Sequence, residues 1–282
     1  MVPDEPARDP MSEASLVADL QWLTHRDRSG RGSRSGDARI TARWLADELT
    51  AAGYTPVLQP IDSVPGQSNV IAELGPKTGK AIVVVAHYDH LGVVGGAMHP
   101  GADDNASGVV VALAVARELR RAPSARVVFL FTGAEEEGLA GAKAYLAAPS
   151  VPVAEIRAVY NLDMVGRNFF ASSVNEEAKL AAVGLSDDPD LSDIATTAAT
   201  EAGLSLLSVR PGFLKMVGEA RRTDDWIFRD AGVLAIHFST GLNDDYHRPT
   251  DTEDKVSRPQ LVRMAKFVRG LVIRTTDTAS WN

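Results

Sequence analysis

The chain of 282 residues contains no cysteine. This absence excludes a disulfide framework, thiolate metal sites and a cysteine nucleophile. A metal site in this protein would therefore have to be built from histidine, aspartate and glutamate. The sequence also lacks any run of 18 apolar residues, so it predicts no transmembrane helix. With 45% hydrophobic and 23% charged residues, the composition is typical of a soluble globular protein.

The chain has no excess of positive charge. Its 29 basic and 37 acidic residues give a formal net charge of −8. We therefore expect neither nucleic acid nor an anionic membrane surface as a partner. Residues 1–15 are polar and acidic and lack the apolar stretch of a signal peptide. The chain as it stands is expected in the cytoplasm, or outside the cell if a leader precedes it; the compartment and the oligomeric state stay open.

Short apolar runs alternate with helical patterns along the chain. The runs at 69–74, 81–87, 126–132, 156–162 and 233–238 predict strands, and the patterns at 37–52, 107–121, 139–147, 191–202 and 260–275 predict helices. Such alternation predicts an α/β fold, a single domain with a mostly parallel central sheet and helices on both faces. Residues 1–36 are expected to form an N-terminal extension with a first helix, packed on a domain of residues 37–282.

Two further segments have weak patterns. Residues 171–189 are polar and are expected to form a surface excursion. Several arginines between residues 26 and 39 stand among glycine and serine, which favours a solvated loop over an anion site.

Acidic and histidine side chains collect where the predicted strands end. They are His87 at the end of AIVVVAH, Asp103 and Asp104 in the loop after it, Glu135, Glu136 and Glu137 after RVVFLFT, Asp163 after IRAVYNL, and His247 after VLAIHF. Open parallel sheets bind ligands outside the carboxyl ends of their strands, so these side chains can converge on one crevice. Taken alone, His87 is better explained as a hydrogen-bonded histidine and Asp163 as a loop cap. Their shared position at the ends of the predicted strands favours a ligand-binding site instead.

Two histidines and three or more carboxylates form a nitrogen and oxygen donor set. This set suits zinc, with cobalt or manganese as replacements. Unpaired carboxylates packed together would raise one another's pKa and protonate, whereas cations neutralise them. Three carboxylates and one hydroxide carry four negative charges, which balance two Zn²⁺ ions. The sequence therefore favours two metal ions over one.

Five ordered motifs resemble the M28 family of zinc aminopeptidases. The motifs are VVAHYDHLG (84–92), GADDNASG (101–108), GAEEEGLAG (133–141), NLDMVG (161–166) and STGLNDDYHRPTDT (239–252). The resemblance extends over about residues 37–255. It implies the zinc-exopeptidase fold, similar to that of phosphorylases and hydrolases, with residues 37–282 as the catalytic domain.

The resemblance also implies a role for individual residues. His87 and Asp163 would bind opposite metals, Asp103 would bridge the two ions, Glu136 would join one metal and His247 the other. Glu135 would be the general base, and Glu137, at a variable position, would be solvated. The peptide bond between Asp103 and Asp104 is expected to be cis, as in relatives.

The function implied is that of a dinuclear zinc aminopeptidase acting on a peptide with a free N-terminus. A water between the two zinc ions would lose a proton to Glu135 and attack the peptide carbonyl. The hydroxyl of Tyr246 is the candidate donor to the developing oxyanion. Asp89 stands two residues after His87, so its carboxylate is expected to accept the other N–H of that imidazole.

Other functions are compatible with parts of the pattern. One is a glutaminyl cyclase, which shares the fold but uses a single zinc and no hydrolytic water. Another is a carboxypeptidase or amidohydrolase, for which Arg167 would bind the substrate carboxylate; a third is a non-catalytic binding module. Thr223-Asp224-Asp225 stands where relatives commonly carry Ser-Asp-His, so the substrate preference is in doubt. His25, His90 and His237 are interpreted as structural.

Overall fold

A computed structural model describes residues 9–119, 123–168, 178–211 and 223–278. An eight-stranded sheet forms its centre, in the order β1-β2-β6-β3-β7-β10-β8-β9. Its strands are β1 (Val57–Pro60), β2 (Ser68–Leu74), β3 (Ala81–His87), β6 (Arg126–Thr132), β7 (Ile156–Leu162), β8 (Lys179–Val183), β9 (Ser205–Val209) and β10 (Ala235–Ser239). Strands β4 (Gly92–Val94) and β5 (Ala97–His99) form a separate hairpin.

The four central strands β6, β3, β7 and β10 run parallel. They are flanked by the antiparallel neighbours β2 and β8. Every residue of β3 and β6 is buried, as expected of strands that are apolar on both faces. The predicted mostly parallel sheet is therefore confirmed.

Strand β8 lies in a segment for which the sequence predicted a surface excursion. It pairs with β10 on one side and β9 on the other, so that prediction is wrong for its residues. The run KLAAV is too short and too mixed to identify as a strand by itself, and it becomes one by pairing with β10. Residues 171–177 lie outside the described part of the chain.

Helices cover both faces of the sheet, as predicted. They are α1 (Glu13–Thr24), α2 (Ala38–Ala51), α3 (Gly108–Glu118), α4 (Ala140–Ala147), α5 (Pro189–Ala202), α6 (Asp225–Asp230) and α7 (Arg258–Asp277). Helices α1, α2, α3, α5 and α7 share the larger apolar core on one face, and α4 and α6 bury a smaller one on the other. None of the helices in the described ranges is long and apolar enough to cross a lipid bilayer.

Local capping residues explain where two of these helices begin. The Asp188 carboxylate accepts the N–H of Leu191 at 2.9 Å at the start of α5. The Ser257 hydroxyl accepts the N–H of Gln260 at 3.4 Å at the start of α7. Both helices carry a proline in their first turn, where no N–H is needed.

The segment before α2 returns to the carboxyl edge of the sheet. Helix α1 buries Leu16, Leu20 and Leu23 in the larger core. The chain then turns, and Gly32 pairs with His90 in an isolated parallel bridge. The N-terminal residues therefore contact the edge of the sheet at which the central strands end. A division between extension and domain at residue 37 stays a prediction.

Candidate metal centre

Four of the five predicted metal ligands meet at the carboxyl ends of the central strands, together with Glu135 and Asp104. His87 is the last residue of β3, Asp163 directly follows β7, and Glu135 and Glu136 lie in the turn after β6. His247 comes from the loop after β10, and Asp104 from the loop between β5 and α3. Parallel strands bring these chain positions together, although 160 residues separate His87 from His247 in the sequence.

One half of the cluster consists of His87, Asp163 and one oxygen of Asp104. The His87 Nε2 atom lies 3.3 Å from Asp104 Oδ1 and 3.5 Å from Asp163 Oδ1. Glu135 joins this half, since its carboxylate and the donor atoms of His87 and Asp163 lie within 4.8 Å of one another. We refer to His87, Asp163 and Asp104 Oδ1, with Glu135 beside them, as the inner group.

The other half surrounds the second oxygen of Asp104. The His247 Nε2 atom lies 3.2 Å from Asp104 Oδ2 and 3.4 Å from Glu136 Oε1. His90 also faces this half, with its Nδ1 atom 3.0 Å from Glu136 Oε1. We refer to His247, Glu136 and Asp104 Oδ2 as the outer group. The two oxygens of Asp104 therefore face different groups, and Asp104 lies between them.

The position between the groups was expected for Asp103, and that expectation is wrong. The Asp103 carboxylate turns away and accepts hydrogen bonds from the Gly166 N–H at 2.8 Å, the Ser107 hydroxyl at 3.2 Å and the Asn243 amide at 3.0 Å. The cis peptide bond is also one residue later than expected, between Asp104 and Asn105. Neighbouring aspartates point in different directions, and the sequence does not indicate which of them faces the cluster.

The expected pairing of ligands is also different. His87 and Asp163 were expected on opposite metals, but they lie in the same group. His247 and Glu136, expected on different metals, lie together in the outer group. The reason is the order of the strands: β3 and β7 are hydrogen-bonded neighbours, so the residues at their ends are adjacent.

The carboxylate of Asp89 supports the glutamate turn instead of the His87 ring. It accepts hydrogen bonds from the Ser33 hydroxyl at 2.8 Å and from the backbone N–H groups of Glu135 and Glu136 at 3.0 and 3.4 Å. The His87 Nδ1 atom lies 3.2 Å from the backbone carbonyl of Asp89 and 3.9 Å from its carboxylate. With the Nδ1 proton donated to that carbonyl, the Nε2 lone pair faces the cluster.

Burial and the histidines set the charges in the cluster. Burial raises the pKa of Glu135 well above its ordinary value, against the attraction of His87. Burial also acts to raise the pKa of Glu136, but the neighbouring His247 and His90 rings outweigh it and lower that pKa to about 2. Burial acts to lower the pKa of His247, and Asp104 and Glu136 raise it to about 9. The cationic form of His247 and the carboxylate of Glu136 therefore stabilise each other.

Tyr246 and Asp225, the acid that stands where relatives commonly carry a histidine, have different partners. The Tyr246 ring stacks on the His247 ring, with centroids 3.8 Å apart. Asp225 is buried and accepts hydrogen bonds from the Thr223 hydroxyl at 2.6 Å and from Arg229 Nε at 3.1 Å. The negative charge of Asp225 is thus balanced by Arg229 within the fold.

Glu137 and Arg167 both form ion pairs with other side chains of the protein. Glu137, expected to be solvated, forms a surface ion pair with Arg34, whose Nε lies 2.6 Å from Oε1. Arg167 donates to Asp245 at 3.2 Å and to Asp251 at 2.9 Å. The Arg167 guanidinium is therefore held by two carboxylates of the protein.

Sequence reasoning missed Arg31, which lies directly behind the cluster. Its side chain is 0% exposed and donates to the backbone carbonyls of Tyr88 at 2.9 Å, Pro100 at 2.6 Å and Gly101 at 2.8 Å. A further bond reaches the carbonyl of Leu23 at the end of α1. Arg31 was expected in a solvated loop, and nothing in the sequence distinguishes it from the arginines around it.

Comparisons with known proteins identify the family to which the chain belongs. The model of peptidase family M28 matches residues 69–272. The chain is 30% identical over 219 residues to an aminopeptidase of Bacillus subtilis, an alignment that covers 72% of this chain and 44% of that protein. The chain thus spans less than half the length of this curated relative.

Solved structures share the fold. A zinc aminopeptidase from Bacillus subtilis is 26% identical with a TM-score of 0.60, covering 74% of this chain and 50% of that one. A glutaminyl cyclase from Bacteroides thetaiotaomicron, bound to N-acetylhistamine, is 22% identical with a TM-score of 0.71, covering 93% of this chain and 98% of that one. At this level of identity the second similarity establishes the fold alone.

Proposed function

Because the chain belongs to peptidase family M28, we propose that it is a dinuclear zinc aminopeptidase that hydrolyses the N-terminal bond of a peptide. The observation that carries the proposal is the position of Asp104, whose two oxygens each face a separate histidine and carboxylate pair. The aminopeptidase names of relatives support the reaction, and the name of the zinc aminopeptidase structure supports the metal.

The donor atoms fit zinc in kind and in spacing. Imidazole nitrogen and carboxylate oxygen bind Zn²⁺ at about 2.0–2.2 Å, which places two ligands of a tetrahedral ion about 3.3 Å apart. The separations within each group range from 3.2 to 3.5 Å. His87 and Asp163 would hold one ion, His247 and Glu136 the other, and Asp104 both. Bound zinc would polarise the peptide carbonyl and lower the pKa of a water molecule.

Glu135 is the residue proposed to move the proton. It lies beside His87 and Asp163, and burial raises its pKa well above its ordinary value. A carboxylate with a raised pKa suits transfer of a proton from water to the leaving amine. Asp89 holds the backbone N–H of Glu135 and thereby orients this turn.

Tyr246 is proposed to donate its hydroxyl to the developing oxyanion. Its ring is stacked on that of His247, which would hold the phenol beside the outer group. This role needs a tyrosine hydroxyl within hydrogen-bond reach of the substrate carbonyl. Tyr246→Phe keeps the stacked ring and removes the hydroxyl, so it tests the role directly.

The alternative functions each need a feature that the site does not favour. A glutaminyl cyclase with one zinc would use only one of the two donor groups around Asp104. A carboxypeptidase would need a free cation, whereas Arg167 is bound by Asp245 and Asp251. A binding module without metal would not need the buried donor atoms of both groups.

The proposal is tested by metal analysis together with a leucine-p-nitroanilide assay. Two zinc ions per chain and release of p-nitroaniline support the aminopeptidase. One zinc with cyclisation of an N-terminal glutamine peptide would instead support the cyclase, and purified protein without metal or turnover would support the binding module.

The general base is tested by Glu135→Gln. We expect this variant to keep both zinc ions and to lose activity by a factor of at least about 10². The matched control is Glu137→Gln, two residues later in the same turn, which should keep both its metal and its activity. Full activity in Glu135→Gln would reject the assignment.

A further inference from the structure

His90 is a buried histidine beside the outer group; it stands in the motif VVAHYDHLG, but the sequence analysis interpreted it as structural. Its side chain is 0% exposed. The Nδ1 atom lies 3.0 Å from Glu136 Oε1 and 3.8 Å from Asp104 Oδ2. These two oxygens are also the nearest acidic neighbours of His247 Nε2, so two imidazoles face the same pair of carboxylates.

The short approach between His90 and Glu136 is not a hydrogen bond. Within the described residues, Nδ1 and Nε2 of His90 and Oε1 of Glu136 all lack a hydrogen-bond partner although all three atoms are buried. Two buried polar atoms 3.0 Å apart that do not bond each other can both be satisfied by a cation at a third point. Leaving them unsatisfied would be costly, and one cation at that point would satisfy both Nδ1 and Oε1.

The backbone holds the His90 ring in this position. The His90 N–H donates to the Arg31 carbonyl at 3.2 Å, and Gly32 pairs with the same residue. On its other side the ring lies against Gly101, where an added Cβ atom would come within 2.5 Å of the ring. Gly101 also has a φ of +58°, so a side chain there would be strained as well as obstructed. The ring is therefore clamped between the N-terminal segment and the loop that carries Asp104.

We propose that His90 is a protein ligand of the outer zinc ion, which it binds through Nδ1 together with His247, Glu136 and Asp104. This inference rests on the proposed function and adds a ligand to it. The outer ion would then have four protein ligands, and the inner ion three. Separations of 3.0–3.8 Å between Nδ1 and its two carboxylate neighbours lie close to the spacing of about 3.3 Å between ligands of one zinc ion.

The alternative is that His90 only supports Glu136 from behind, as a partner of a ligand. That role requires a hydrogen bond between ring and carboxylate, and this bond is missing from the geometry. The two roles differ in whether a bond joins the ring nitrogen to the metal, which a spectroscopic measurement detects independently of activity.

The deciding experiment uses the full chain with ¹⁵N-labelled histidine, loaded with ¹¹³Cd in place of zinc. We expect a one-bond coupling between cadmium and nitrogen at His87 Nε2, His247 Nε2 and His90 Nδ1. Couplings at His87 and His247 without one at His90 would overturn the inference and leave the proposed function intact. Absence of coupling at all three histidines in cadmium-loaded protein would count against both.

Zinc affinity gives a second measurement. We expect His90→Ala and the bulkier His90→Gln to weaken the binding of one of two zinc ions by at least about tenfold in competition with a chelating dye. The matched control is His99→Gln, because His99 is also buried but belongs to neither group. Unchanged affinity for both ions in folded His90→Gln, judged by its circular dichroism, would contradict the proposal.

Discussion

The inner and outer groups of the candidate metal centre are built by different parts of the fold. In the inner group, His87 and Asp163 stand at the ends of adjacent buried strands and their side chains are 3% and 9% exposed. In the outer group, His247 lies in a loop at a left-handed φ of +57°, and its side chain is 31% exposed. The sheet positions His87 and Asp163 of the first group, whereas the second group depends on how several loops are held.

Two charged side chains, Asp251 and Arg31, hold those loops. The carboxylate of Asp251 accepts the backbone N–H groups of Asp103 and Asp104 at 2.9 and 3.1 Å, and its other oxygen accepts Arg167. On the opposite side, Arg31 binds the carbonyls of the residues before this loop. Burial lowers the pKa of Arg31 to about 10, so the guanidinium stays charged at neutral pH. The loop that carries Asp104 is thus held by side chains far from it in sequence.

Asp104 is common to both groups, so its substitution should have the largest effect. We expect Asp104→Asn to lose both zinc ions and to reduce activity by about 10³-fold or more, because each ion loses a charged ligand. Zinc at 100 times its dissociation constant should stabilise the wild type by about 2.7 kcal/mol for each bound ion and this variant hardly at all, measured by thermal unfolding.

Asp103→Asn is the matched control for that substitution. It changes the neighbouring aspartate by the same atom, but this carboxylate faces Gly166 and Asn243. Zinc stoichiometry should therefore stay at the wild-type value. The reverse pattern, with zinc lost in Asp103→Asn and kept in Asp104→Asn, would restore the assignment expected from the motif.

Removing one histidine from each group should separate the two ions. We expect His87→Ala and His247→Ala each to lose one ion and to keep the other, with loss of activity in both. Elemental analysis after dialysis measures the stoichiometry. Complete loss of metal in either variant would show that the groups do not bind independently, and the comparison between them would fail.

Arg31 tests how far the outer group depends on the loops. Arg31→Met leaves several buried carbonyls without a donor, and we expect it to lower the free energy of unfolding by about 3 kcal/mol. Denaturant unfolding of the metal-free protein measures this change. Arg26→Met is the control, because Arg26 is exposed in the same segment and should change stability by less than about 0.5 kcal/mol.

The smallest effect is expected at Ser33. Ser33→Ala removes one hydrogen bond to the Asp89 carboxylate, which keeps its two backbone donors in the glutamate turn. We expect a loss of about 1 kcal/mol in the free energy of unfolding and an unchanged zinc content. Loss of a zinc ion in this variant would show that the turn after β6 is less rigid than its backbone contacts imply.

The strands that build the inner group could be predicted because they are short, mostly apolar runs. AIVVVAH is apolar on both faces and IRAVYNL mainly on one, and β3 and β7 begin and end at the predicted residues. Strands β8 and β9 at the edge have no such pattern, and β1 is largely exposed. These edge strands form because a neighbouring strand provides hydrogen-bonding backbone groups. The local sequence does not indicate that such a neighbour is present.

The candidate site also has features that could be predicted from the sequence and features that could not. The residue types and the motifs in which they occur could be read from the sequence, including His87, Glu136, Asp163 and His247. The choice between Asp103 and Asp104 could not, because adjacent side chains in an irregular loop have no fixed alternation. The partners of Asp89 and Arg31 were equally hidden, since both act through backbone groups that lie close only in the folded chain.

By itself, the sequence determined the chemistry of this protein: a donor set of nitrogen and oxygen without thiolate, and buried parallel strands whose ends carry it. Both follow from composition and from hydrophobic pattern, which are local properties of the chain. Only the tertiary structure decided which carboxylate lies between the two groups, which ligands share a group, and that His90 and Arg31 lie beside them. Those outcomes depend on the directions of side chains in loops, and contacts between distant segments set these directions.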